Sequence, residues 1–206
     1  MRIFDVTGCR AEIVQPGTNL TEWARVNRPF AVCNASLYDM RTRVPIGTII
    51  EHGQFVHDDG NGFGYGVIDG VPHFGTPWAI NWDDYLTGYN SPVQEGKYVA
   101  PNFSDSYVFG CRLVRIGIGK IGEKIVIVTD DFATLKEFAE HAIAQGVDTL
   151  VNLDGGGSRH LYYDGAIVYS SPRIPYNALA FYKSEPICEF CTDDGRCGKW
   201  KVTKHD

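Results

Sequence analysis

Asp154 is followed by three glycines and a serine, in the stretch Val151-Asn152-Leu153-Asp154-Gly155-Gly156-Gly157-Ser158. Glycine loses more conformational freedom on folding than any other residue, so a run of them is kept where backbone must take unusual angles or pass close to a ligand. The run follows an apolar segment, residues 149–153, with the composition of a strand. It therefore sits at a strand's carboxyl end, where open α/β sheets bind ligands. Bare amide N–H groups there can hold an anion. Asp154 beside them can act as a nucleophile or base, or it can accept amide bonds and only close a tight turn. Asp130, at the end of another apolar segment, is a second candidate carboxylate. Asn34-Ala35-Ser36-Leu37-Tyr38-Asp39 is a polar loop directly after the apolar segment Phe30-Ala31-Val32-Cys33, so it too can open onto a site.

The elements that must position these groups are legible in part. Residues 124–129 are strongly β-branched and predict a strand. Thr134 is placed to cap a helix, with Glu137 completing a capping box. Leu135, Phe138, Ala139, Ala142 and Ile143 then follow the helical period, and Gly146 ends it. Strand, helix and strand make a βαβ unit, with the two strands expected to be parallel and Asp130 and Asp154 at one edge of the sheet. Asp69-Gly70 and Asp164-Gly165 are hairpin turns, and His52-Gly53 sits between two further short strands. Asn19 caps a short helix over 20–26. Residues 75–110 show no period and hold Trp78, Trp82, Tyr85, Tyr89, Tyr98, Phe103 and Tyr107. They predict a long functional loop, whose rings either suit the face of a sugar or pack the loop down. The expected fold is α+β: a single domain with a central mixed β-sheet, several hairpins, and one βαβ unit carrying the DGGGS loop.

Composition narrows the partners. With 206 residues and 44% hydrophobic content the chain can bury one large core. A net charge of −6 argues against nucleic acid or an anionic membrane as the main partner. No apolar run approaches a transmembrane length, and residues 1–5 read as a strand rather than a signal peptide. A cytoplasmic or phage-encoded, bacterial-type protein is the expectation. Cys9, Cys33 and Cys111 lie in apolar contexts and predict buried free thiols. The core domain is expected over 1–186, and 187–206 is a cysteine-containing appendage. In it, Cys188, Cys191, Cys197 and His205 could ligate a structural zinc ion, or two of the thiols could form a disulfide.

Several stretches resemble the phosphodiester glycosidase family. Asn152 to Ser158 is similar to its NLDGGGS signature. Arg115-Ile116-Gly117-Ile118-Gly119 resembles its R-T-A-x-G segment, and the 34–39 loop its N-G-G-F-F-D, with both glycines replaced. Pro45-Ile46-Gly47 and Asn177-Ala178-Leu179 also fit, so the resemblance spans roughly residues 30–182. It implies hydrolysis of the glycosidic C–O bond of a sugar-1-phosphodiester, on a small molecule or a glycan, with no cofactor required. Arg115 would clamp the phosphate, since its planar fork binds two oxygens at once. Asn34, Asn152, Gly155, Gly156, Gly157, Ser158 and Asn177 would line the substrate site. Asp154, with Asp130 second, would serve the oxocarbenium-like transition state. Two other classes stay open: a sugar-phosphate binding module without turnover, and a metal-dependent phosphodiesterase. The second needs clustered ligands, and the histidines at 52, 57, 73, 141, 160 and 205 show no such spacing.

Overall fold

Thr134 caps a helix, as its spacing from Glu137 predicts. In the computed structural model, helix α2 (Leu135–Ala144) opens with a reciprocal capping box. The Thr134 hydroxyl accepts from the Glu137 amide at 3.2 Å, and the Glu137 carboxylate accepts from the Thr134 amide at 2.9 Å. These bonds satisfy donors that a first helical turn leaves without partners. Leu135, Phe138, Ala139 and Ala142 are buried along one face. The shorter helix α1 (Leu20–Asn27) is capped by Asn19 and ends where Arg28 turns left-handed. The structure describes residues 1–59, 62–88, 90–100 and 110–183, with the backbone of two strands at 187–191 and 197–201.

Three antiparallel sheets share one core. The first runs in the order β1 (Arg2–Asp5), β12 (Lys124–Ala133), β11 (Leu113–Ile121), β13 (Thr149–Asn152), β9 (Asn90–Gln94), β10 (Lys97–Tyr98). The second runs β15 (Ala166–Tyr169), β14 (Leu161–Tyr163), β3 (Ala31–Asn34), β16 (Ala178–Lys183), β2 (Cys9–Val14). The third runs β5 (Gln54–His57), β4 (Ile49–Glu51), β8 (Asp84–Leu86), β6 (Gly64–Ile68), β7 (Val71–Gly75). Their inner faces meet in a cluster that includes Ile116, Ile118, Ile127 and Val151 from the first sheet, Cys33, Leu161 and Phe181 from the second, and Tyr65, Val67 and Leu86 from the third. Each outer face has its own cover. Helix α2 packs on the first through Phe138 and Ala139 against Val128 and Leu150. Helix α1 packs on the second through Leu20 and Ala24 against Val32 and Ala180. Trp82 closes over the third beside Ile50 and Tyr85.

Three expectations are corrected. The central sheet is not mixed, because every neighbouring pair in it is antiparallel. The βαβ unit exists in direction only: β12 and β13 run the same way, but β11 lies between them and pairs antiparallel with both. A hairpin partner was available to β12 nearer in sequence than β13, and it took the central position. The stretch 75–110 is also not one loop. It contains β8, β9 and β10, with a left-handed Glu95-Gly96 turn between the last two. These strands are short, and β9 is buried across Ser91-Pro92-Val93, so no alternation marks it. Trp82 and Tyr85 are core residues, whereas Trp78 is exposed. Tyr89, Phe103 and Tyr107 lie outside the described residues.

The hairpin turns hold as expected, with left-handed angles at His52-Gly53, Asp69-Gly70 and Asp164-Gly165. Cys9 and Cys33 are buried free thiols, and Cys111 is partly exposed. At the C-terminal end, β17 (Ile187–Cys191) and β18 (Cys197–Lys201) pair with each other in a two-stranded sheet. The side chains of the candidate zinc ligands lie outside the described residues. No helix among the described residues is long and apolar enough to cross a membrane.

Candidate active site

Segments from three parts of the sequence, residues 34–36, 154–160 and 171–177, are tied together around Asp154. Its amide donates to the Ala35 carbonyl at 2.9 Å, and its own carbonyl accepts from Asn34 Nδ2 at 2.5 Å. Asn34 Oδ1 accepts from the His160 amide at 2.8 Å. Asn34 thus clamps the glycine loop at both its ends. The neighbouring Ala35 amide donates to the Asn177 carbonyl, and the Ser36 amide to Asn177 Oδ1 at 2.9 Å. From the other side, Ser171 Oγ donates to the Gly157 carbonyl at 2.8 Å, and Arg173 donates to Ser158 Oγ at 2.9 Å. The 34–36 loop, the glycine loop, the 171–173 strap and Asn177 therefore form one hydrogen-bonded unit at the carboxyl ends of β3 and β13.

Each glycine in the loop answers a different demand. A Cβ on Gly155 would lie 2.5 Å from the Val114 carbonyl oxygen, so the loop lies directly on the backbone of β11. Gly156 has φ +55°, a left-handed angle that side chains disfavour. A Cβ on Gly157 would meet the Arg173 guanidinium at 3.1–3.2 Å, so this position leaves room for the cation. Ser158 then closes a short 3-10 turn, donating its amide to the Gly155 carbonyl at 3.0 Å. Gly155→Ala is expected to destabilise the fold by about 1–3 kcal/mol through this overpacking and to depress turnover with it. A melting curve and a rate measured on the same sample check this, and an unchanged melting temperature would contradict the packing.

The electrostatics centre on Asp154. Burial pushes its carboxyl up to about 6, against the opposing effects of a Ser158 hydrogen bond and the Arg173 charge. Arg173 is itself exposed to solvent. The other two charged residues expected at the site point elsewhere. Arg115 has its Cα 3.6 Å from the Cβ position of Gly155. Its side chain is 2% exposed on the α2 face of the sheet, and it donates to the carbonyls of Ala133 and Cys111, both at 3.0 Å. Asp130 sits opposite Arg115 in the strand register, and its carboxylate lies 2.8 Å from Nδ1 of His141 on helix α2.

Buried polar atoms without partners gather in the same segments. Ser36 Oγ, Asn152 Oδ1, His160 Nε2 and Asn177 Nδ2 have no hydrogen-bond partner among the described residues. Such atoms are rare in folded proteins and mark groups available to a ligand or to water. His160 is a residue that sequence reasoning missed. Its Nδ1 accepts from the Ser171 amide at 3.2 Å, which leaves the ring proton of the neutral imidazole on the unpartnered Nε2. Burial lowers its pKa, favouring that neutral form. Arg173 was missed as well. Its only sequence signal is a position shortly before Asn177.

A profile of the phosphodiester glycosidase family matches residues 27–181. This chain belongs to the phosphodiester glycosidase family. Solved structures agree on the fold. A hypothetical protein from Synechocystis superposes with a TM-score of 0.71 at 14% identity, over 84% of this chain and 56% of that one. This chain therefore spans little more than half of that protein. The catalytic domain of zebrafish N-acetylglucosamine-1-phosphodiester alpha-N-acetylglucosaminidase, auto-inhibited by its pro-peptide, gives 0.70 at 18% identity, covering 85% of this chain and 73% of that domain. A protein from Burkholderia pseudomallei gives 0.58 at 12% identity over 87% and 72% of the two chains. Comparison with curated proteins gives no match.

Proposed function

We propose that this family member hydrolyses the bond between the anomeric carbon of a sugar and the oxygen of a phosphodiester. The observation that carries the reading is the juxtaposition of Asp154, whose carboxyl is pushed up to about 6, with the exposed cation Arg173 on a glycine loop. Arg173 holds the phosphate and offsets the charge that grows on it as the C–O bond breaks. The amides of Gly156 and Gly157 add uncharged donors, since the Ser158 amide is spent inside the turn. Asp154, ionised, attacks the anomeric carbon or takes a proton from the attacking water. The bonding pair leaves with the phosphate, which departs as a monoester and needs little help from a general acid. Water oxygen ends on the anomeric carbon.

Arg115 has a different task in this reading. Bonded to the Ala133 and Cys111 carbonyls, it fixes the end of β11 on which Gly155 rests. Asn34 and Asn177 hold the loops, and Asn152 Oδ1 and His160 Nε2 remain to meet substrate hydroxyl groups or bridging water. Among the described residues no group of three His, Cys, Asp or Glu side chains is placed to hold a metal ion.

Turnover of a sugar-1-phosphate methyl diester tests the proposal, with free reducing sugar and methyl phosphate as the expected products. The rate should fall as pH drops through about 6, because Asp154 must be ionised to act. An absence of turnover on a panel of such diesters would favour a binding module instead. A rate that is flat from pH 5 to 8 would remove Asp154 from the base or nucleophile role.

A further inference from the structure

We propose that the outer face of the third sheet carries a second sugar-binding site, formed by the stacked rings of Phe55 and Trp78. The two rings lie 4.5 Å apart between centroids at an interplanar angle of 23°. Trp78 is nevertheless 60% exposed and Phe55 43%, with Ile80 and Val56 exposed beside them in the chain. A core contact would have hidden these rings, as it hides Trp82 and Tyr85 a few residues away. An exposed apolar cluster with polar groups around it marks a binding surface.

The surface is presented rigidly. Phe55 lies opposite Ile50 in the β4–β5 register, on the face closed by Trp82. Trp82 anchors the loop that carries Trp78: its indole donates to the Thr76 carbonyl at 3.1 Å, and the Ala79 amide donates to the same oxygen at 3.1 Å. Thr76 and Asn81 are exposed on that loop and bring a hydroxyl and an amide to its surface. Flat rings held in place, with hydroxyl and amide groups nearby, match a pyranose, which offers an apolar C–H face and a rim of hydroxyls. Pre-ordering of the rings lowers the entropic cost of binding it.

The platform is joined to the candidate active site by one wall. Strand β5 ends at His57, whose Nδ1 donates to the Gly47 carbonyl at 2.8 Å. Next to Gly47, the Thr48 amide donates to Thr87 Oγ1 at 2.7 Å, and Gly88 lies against the Asn152 carbonyl. A glycan chain, rather than a monosaccharide diester, is thus the substrate class that uses both places, and this second half of the proposal rests on the glycosidase reading.

An array of neutral oligosaccharides, probed with the whole labelled protein, separates the two claims. Retention of at least one glycan class is expected, reduced about tenfold or more in Trp78→Ala and Phe55→Ala, the scale of losing one ring-stacking contact. Asp154→Asn should retain the glycan like the parent chain, and Trp78→Ala should still turn over a small methyl diester. No retention anywhere on the array, or retention indifferent to both ring substitutions, would overturn the platform. Loss of retention in Asp154→Asn would place the binding in the active site instead. Failure of the small diester to turn over would count against the glycosidase reading alone.

Discussion

Asp154→Asn is expected to lower turnover at least about a hundredfold, the usual scale for losing a positioned acid or base, while making the folded chain more stable above pH 6. Both effects follow from one property. Burial raises the Asp154 carboxyl to about 6 in the folded chain, against an ordinary value near 4. The folded state therefore binds this proton more tightly than the unfolded state. Stability from this group is fully present below pH 4 and is lost as pH rises through about 6. Asparagine carries no charge to desolvate, so the variant escapes the loss. A gain of about 1–3 kcal/mol at pH 7.5 is the expected size, from a shift of about two units. Most of the gain should be gone at pH 4, where the carboxyl is protonated in the folded state and about half protonated in the unfolded one. Melting curves for the two chains at pH 4 and pH 7.5 check this. A variant less stable than the parent at the higher pH would mean that Asp154 mainly holds the loop together.

Arg173→Ala is expected to weaken kcat/KM for a sugar-1-phosphodiester about a hundredfold or more, as removal of a charge-stabilising donor does elsewhere. Arg173→Lys should recover only part, because a lysine is a point charge without the bidentate fork. The contrast with Arg115 is the informative part. Arg173 is exposed against Ser158 and Gly157, so its loss should lower the melting temperature far less than the loss of Arg115. Arg115 is buried, with Nε and one terminal nitrogen on main-chain carbonyls. Arg115→Ala should destabilise the fold by about 3 kcal/mol, leaving those acceptors unsatisfied. The reverse pattern, with Arg115 silent in stability and decisive in substrate binding, would restore the clamp to Arg115.

What the sequence shows of this molecule is its local backbone. The Thr134 to Glu137 capping box and the Asp69-Gly70 and Asp164-Gly165 turns are contained within a few residues, and all three are present in the structure. The glycine run is legible for the same reason: its demands fall on the loop's own backbone, even though two of them are set by Val114 and Arg173. Strand order is a long-range property. Nothing in the text of residues 90–94 announces that they pair with β13, some sixty positions on, and Pro92 argues against a strand altogether. The direction of β12 and β13 could be inferred from the helix between them, but not the insertion of β11.

The site divides in the same way. Asp154 and Asn34 are visible because they sit in polar text directly after apolar strands. Arg115 is equally visible, as the first residue of a segment resembling the family's R-T-A-x-G, but its partners include carbonyls at Ala133 and Cys111 that carry no sequence signature. Arg173 lies in an aperiodic stretch, Ser170-Ser171-Pro172-Arg173-Ile174-Pro175, and reaches the loop only through the hairpin fold-back that precedes it. His160 is set by its neighbours: Asn34 takes its amide and Ser171 fixes its tautomer.

The measurement closest to the central claim is hydrolysis of a sugar-1-phosphate methyl diester in ¹⁸O-labelled water, with both products analysed by mass. Attack at the anomeric carbon puts the label in the free sugar and leaves methyl phosphate unlabelled. That is the result expected from an ionised Asp154 beside an arginine-held phosphate. Label found in methyl phosphate, with the sugar unlabelled, would mean that the P–O bond breaks and would contradict the account.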